Sequence, residues 1–401
     1  MPREALASVI SDKVSAAGLD TTQADRIAGE LLAGAAKVAV DHESDDDPQI
    51  ELTAEDVRLA TERSSKAIES LPTIINQAVD DTAPRIVRSL RAAWATRGWE
   101  VEAELAGFRA RLYERWGEAL DGLRLLLQLS REAGEDEYRR LGRSRAKKNR
   151  LVQSVLLRLH ARCCQVASEC LTLMEAGYPD GAFARWRSLH ELVLVGTLVQ
   201  THGDDLARRY VDHEFVEAKT AMDQYVANYE KLGYAPPDQR EVDRIGKQYE
   251  ALLVKYGKSF RHPYGWAAHH LGNDKPTFVD IQAAANRAEM RGHYKMASYG
   301  VHAGVKSITW TLGTLDGRDA ILAGVTNAGL EEPGQNVTAS LVAANTLLLS
   351  DNPKIDDVIQ MRVMLILRDR TVGSFLKAAR KLLRDDRKFR RSTTTRQRPK
   401  G

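Results

Sequence analysis

One stretch constrains the fold more than any other: residues 173–200, LMEAGYPDGAFARWRSLHELVLVGTLVQ. Gly177, Pro179 and Gly181 predict a turn, with Asp180 placed to cap the helix that follows. That helix carries Phe183, Trp186, Leu189 and Val193 at three- and four-residue steps, then a nearly unbroken apolar run from Leu192 to Val199. So apolar a helix must be buried on most sides, and residues 151–176 supply the antiparallel partner across the turn. Its first half nevertheless holds Arg185, Arg187, His190 and Glu191. Polar groups in such a place need partners.

The rest of the chain repeats the helical pattern. Residues 3–38 read as two short amphipathic helices, the second begun by Asp20, Thr21 and Thr22. An acidic break, DHESDDDPQIEL at 41–52, precedes Thr53 and Asp56, a capping pair for a helix to about Asp80. Val101, Leu105, Phe108, Leu112, Trp116, Ala119, Leu123 and Leu127 then form a stripe that packs on another helix, within the chain or in a second copy. Gly98, Gly107, Gly117 and Gly122 predict breaks in it. Further helices are expected at 204–232, 238–257, 334–350 and 353–385, with an ordered loop at 258–278. A long helix from Asp280 carries the stripe Met290, Tyr294, Ala297, Val301, Val305, Ile308 and Leu312.

No strand run is visible, aromatics are 6% of the residues, and Ala, Leu, Arg and Glu abound, so the expected class is all-α. The expected division is an N-terminal helical, coiled-coil-like region at 1–130, a polar and basic linker at 131–150, a helical bundle at 151–385 and a basic, disordered tail at 386–401. A net charge of +3 excludes a generic polyanion binder, but the bases cluster at 139–150 and 377–400, where they could meet phosphates or be merely solvated. Three cysteines, Cys163, Cys164 and Cys170, in one predicted helix argue for a reducing compartment. The N-terminus has acids and no apolar core, and no stretch reaches membrane-span length. A cytoplasmic protein without membrane association is expected.

Three constellations carry chemistry. Arg187 and Glu191, four apart, share a helix face; the guanidinium fork suits a carboxylate or phosphate, or the pair fixes helix register. Tyr294, Ser298 and His302 step by four along the predicted long helix, as a hydrogen-bonded layer or part of a site. If the two helices meet, Arg187, Glu191, Ser298 and His302 converge in one pocket, with Tyr294, Tyr264 and Trp266 as ligand contacts. Arg185 and His190, an arginine, four intervening residues, then a histidine, match the active-site pattern of the HEPN ribonucleases, helical bundles that cleave RNA without metal. The match departs from that family at Trp186, where a small polar residue is usual, and the pair stands about 140° apart on a helix. His160, Cys163 and Cys164 lack a second ligand pair, and His262, His269 and His270 lack zinc-type spacing, so neither a metal nor a cofactor is expected.

From about 155 to 315 the chain resembles a bacterial family known as domain of unknown function 5677. GYPDGAFARWRSLHE, the YGWA segment at Tyr264–Ala267, and HYKMASYGVHAG with Tyr294, Ser298 and His302 carry the likeness. It implies an all-helical domain with these polar positions as its characteristic ones, and implies no activity. A broader likeness to HEPN bundles is one of fold. The expectation is a helical-bundle protein, homo-oligomeric, that binds an anionic ligand or RNA at a polar interior site, by association in bacterial stress or phage defence. A metal-independent ribonuclease and a structural or interaction protein are the alternatives.

Overall fold

The structure is a computed structural model that describes residues 2–18, 20–32, 53–143, 149–315, 321–351 and 353–396. Among these no strand occurs, and the all-α expectation holds. The acidic break at 41–52 lies outside the described residues. The chain forms two compact units, residues 1–103 and 104–401.

In the first unit, helices α1 (Pro2–Ala16) and α2 (Thr21–Leu32) bury Val9, Ile10, Val14, Ile27 and Ala28, together with Ala60 of α3 (Ala54–Arg143). Thr53 opens α3 as expected: its backbone N–H and hydroxyl both donate to Asp56 at 2.6 Å. Lys13 reaches the same carboxylate at 2.5 Å. These bonds, led by Lys13, hold the Asp56 carboxyl down to about 2. From 65 to 103 no residue of α3 is buried.

In the second unit, α3 from 104 onward packs with α4 (Arg150–Glu175), α5 (Pro179–Asp212), α12 (Glu331–Leu349) and α13 (Ile355–Arg396). Between α5 and α12 lie α6 (Glu214–Asn228), α7 (Gln239–Tyr256), α8 (Ala268–Leu271), α9 (Phe278–Ala284), α10 (Arg291–Ala297) and α11 (Val305–Thr309). The α4–α5 hairpin forms as the sequence predicts. Gly177, at φ +82°, is the left-handed residue of a Schellman turn, with Gly177 N–H donating to Met174 O and Tyr178 N–H to Leu173 O. A Cβ there would lie 2.7 Å from the Phe108 ring, so the turn needs glycine on two counts.

Five sequence expectations meet a different outcome. The glycines of α3 do not break it: Gly122 lets the helix approach Thr371, 2.5 Å from where its Cβ would be, and Gly134 admits the His160 ring. Close packing outweighs the local entropy cost. The helix also runs through the expected linker as far as Arg143, while 144–148 lie outside the described residues. Asp180 is not a cap but a clasp, accepting from Thr311 Oγ1 at 2.5 Å and Leu312 N–H at 2.8 Å. The long helix from Asp280 is instead three short α-helices, α9, α10 and α11, because Asn286, at φ +51°, stops α9 and the chain turns again after Ala297. At the C-terminal end, α13 continues past 386 to Arg396, with 397–401 outside the described residues.

Candidate functional site

The site grows from one face of α5. Phe183, Trp186 and His190 follow at three- and four-residue steps, so their rings stack along the helix at 5.4 and 5.2 Å. Phe278, the first residue of α9, continues the column to Tyr294 of α10 at 4.3 Å. A capping box, Thr277 with Asp280, fixes where α9 starts and so where Phe278 sits. Tyr264 stands at 6.4 Å on the other side of Phe278.

Arg187 and Glu191 flank this column, and Tyr294 joins them. Arg187 Nη2 donates to the Tyr294 hydroxyl at 2.7 Å, and that hydroxyl donates to Glu191 Oε1 at 2.5 Å. The direct Arg187–Glu191 separation is 3.7 Å, so the phenol is the link between them. The guanidinium also lies 4.6 Å from the Tyr294 ring centroid, in cation–π range. Burial and the Glu191 carboxylate push the Tyr294 hydroxyl up to about 12 against the opposing pull of Arg187, which keeps it a donor at neutral pH. Burial raises Tyr264 as well, followed by the nearby Glu191 charge. Arg187 Nε is buried and has no hydrogen-bond partner.

His190 is the other pole. It is buried, and its Nε2 meets the side-chain nitrogen of buried Gln282 at 3.2 Å. An amide NH₂ donates, so Nε2 accepts and the neutral ring carries its proton on Nδ1. Burial first, then the Arg287 charge, press the imidazole down to about 4. The Gln282 backbone carbonyl accepts from Arg287 N–H at 3.0 Å, and Asn286 N–H donates to Ala283 O, a second Schellman turn. One glutamine thus holds both the His190 ring and the Arg287 backbone. Beside them opens a cavity of about 560 Å³, lined by His190, Asn286, Arg287, Ser340 and, from α13, Arg368. Its apolar wall includes Val193, Met290 and Leu365.

The other expected residues fall elsewhere. Ser298 directs its hydroxyl to the Tyr294 carbonyl at 2.7 Å. His302 is exposed in the turn after α10. Neither hydrogen-bonds Arg187 or Glu191; Tyr294 takes the place expected for them, because α10 ends at Ala297. Arg185 pairs with Glu169 and donates to Ser188 Oγ at 3.0 Å. It lines a different cleft, of about 1140 Å³, with Arg131, Tyr138 and His160. Arg185 and His190 therefore line two different cavities. Trp266 is a core residue, edge-on to Tyr210 at 5.2 Å. His160 joins a buried chain of polar groups, its Nε2 at 3.1 Å from Asn345 Oδ1, and Asn345 in turn donates to Ser130 Oγ at 2.7 Å. Burial drives the three free thiols upward, Cys164 to about 11 and Cys170 to about 12, so they stay protonated. Among the described residues no cluster of three His, Cys, Asp or Glu side chains could hold a metal, and no helix is long and apolar enough to cross a membrane. The basic stretches are partly spent on ion pairs, Arg140 with Asp357 at 2.8 Å and Lys377 with Glu118 at 3.0 Å.

Gln282, Arg287 and Arg368 carry no periodic or motif signal. Only the α9 turn and the docking of α13 bring them to His190.

Residues 153–319 match the family of unknown function DUF5677, and this stretch of the chain resembles that family. The matched stretch contains the whole Arg187–Tyr294–Glu191 link, His190, Gln282 and Arg287. No curated protein and no solved structure matches the chain.

Proposed function

We propose that this is a binding protein for a small anionic ligand of about nucleotide size, held in the cavity between the matched segment and helices α12–α13. The observation that carries the reading is the lining: two arginines, Arg287 and Arg368, and a neutral imidazole, His190, on one cavity of about 560 Å³. That volume suits a drug- or nucleotide-sized molecule. Each guanidinium has a carboxylate neighbour to exchange for a ligand, Arg287 with Glu289 at 3.7 Å and Arg368 with Asp369 at 2.8 Å. Asn286 and Ser340 add neutral hydrogen-bonding groups, and the apolar wall accepts a base or other flat ring. The Arg187–Tyr294–Glu191 link is read as the rigid support of this site, since the Tyr294 hydroxyl ties the two charged side chains together. Binding is favoured over RNA cleavage because His190, pressed down to about 4, is a poor proton donor at neutral pH and has Arg185 on another cleft.

The test is calorimetric titration of the full chain with inorganic phosphate, nucleoside monophosphates and a short single-stranded RNA. A saturable heat with a monophosphate, reduced tenfold or more in Arg287→Ala and in Arg368→Ala, is expected. Heat from the RNA that persists in both variants would move the site to the basic surface; no heat with any probe removes the reading.

A further inference from the structure

The stretch of α3 between 65 and 103 buries nothing, yet it is not a polar helix. Ile68, Ile75, Val79, Ile86, Leu90 and Trp94 are each more than half exposed. They follow an eleven-residue repeat: Ile68, Val79 and Leu90 are one series, Ile75 and Ile86 a second. Three turns per eleven residues keep such a stripe on one side of a nearly straight helix. The first series continues to Val101, Leu112 and Leu123, and the last two are fully covered by the bundle of the second unit. A contiguous exposed apolar stripe marks an interaction surface rather than an ordinary solvated face.

The charges around the stripe are sorted. Glu69, Asp80 and Asp81 precede Thr82, while Arg85, Arg88, Arg91 and Arg97 follow it. Two copies laid parallel would stack acid on acid and arginine on arginine. Laid antiparallel about a dyad between Thr82 and Ala83, they set the acidic half of each copy against the arginine half of the other. The same register sets Leu71 against Trp94, Ile75 against Leu90 and Val79 against Ile86, with the small side chains of Ala78, Thr82 and Ala83 at the crossing. Pro84, two residues before Ile86 in the repeat, falls on the far side of the helix and leaves this face clear. Charge and apolar registers coincide on one two-fold axis. That is the mark of an isologous interface, in which one patch recognises itself.

We propose that residues 68–97 of α3 are a self-recognition surface, on which a second copy of this chain docks antiparallel about the Thr82–Ala83 axis. The seam from Leu71 to Trp94 is about 36 Å long at the helical rise of 1.5 Å per residue.

Sedimentation equilibrium of the full chain should give twice the chain mass at micromolar concentration, and Ile75→Asp with Leu90→Asp should return it to the single mass with an unchanged thermal transition of the bundle. Orientation is read by cysteine cross-linking, with the native thiols silent because they are buried and protonated. Thr82→Cys, at the axis, should cross-link to itself. Leu71→Cys should cross-link only when mixed with Trp94→Cys. A single-mass species up to millimolar concentration overturns the proposal, as does Leu71→Cys cross-linking to itself, the signature of a parallel pair. A dimer that survives the double aspartate variant places the interface elsewhere and overturns it too.

Discussion

Trp94 and Trp116 stand two repeats apart on the apolar stripe of a single helix, yet Trp94 is 60% exposed and Trp116 0%. The stripes around them are alike in residue type and spacing. What differs is the company: Trp116 meets Phe375 at 6.3 Å and donates to Asn327 Oδ1 at 2.9 Å, while Trp94 has no such neighbours from another helix among the described residues. A stripe therefore states that a helix will be covered, and leaves open by what. Where the chain supplies α4, α12 and α13, the covering is internal. Where no helix among the described residues covers it, a second copy is the cover proposed above.

The sharpest way to break this contrast is to truncate both tryptophans. Trp116→Ala should cost about 3–5 kcal/mol of bundle stability in urea unfolding, the range for deleting a large buried aromatic. Trp94→Ala should leave that transition within about 0.5 kcal/mol and weaken only self-association. Equal losses would show that the two stretches do not differ in kind.

Acid should separate them next. The bundle holds His190 at about 4 and His160 below its ordinary value, both through burial, while the 65–103 stretch buries no titratable group. A depressed imidazole takes its proton in the unfolded chain before the folded one. Stability is therefore full above about pH 6.5 and falls as pH drops toward 4, by about 2.5 kcal/mol at about pH 4.5 from His190 alone. Urea titrations at the two pH values should show that slope, and His190→Gln should flatten it. A bundle equally stable at both would contradict the buried, neutral ring.

Smaller effects come from two glycines. Gly122→Val forces atoms against Thr371 and should cost about 1–3 kcal/mol. Gly98→Ala adds a methyl whose nearest contact is the Trp94 side chain at an ordinary 3.4 Å, and should gain up to about 1 kcal/mol through helix propensity. Thermal melts of the two variants should shift in opposite directions.

Much of this was legible in the residues. The α4–α5 hairpin follows from periodicity plus the Gly-Tyr-Pro turn, and Arg187 and Glu191 share a face by spacing alone. Tyr294 belonged visibly to the polar column, but the sequence made Ser298 and His302 its equals. That inference assumed a continuous helix through 302, and the chain leaves the helix at Ala297 because the 311–313 turn is pinned elsewhere, to Asp180. Gln282, Arg287 and Arg368 were illegible for a different reason. Each reaches His190 through the tertiary docking of its element, which no local pattern encodes.

The Asp180 clasp also makes the exposed turn around His302 expendable as a covalent connection. Because Asp180 in the first turn of α5 grips the backbone at Leu312 and Gly313, a protease cutting between Val301 and Thr309 leaves two fragments still fastened across the cut. Such a nicked molecule should migrate as one species in native gels and come apart only in denaturant.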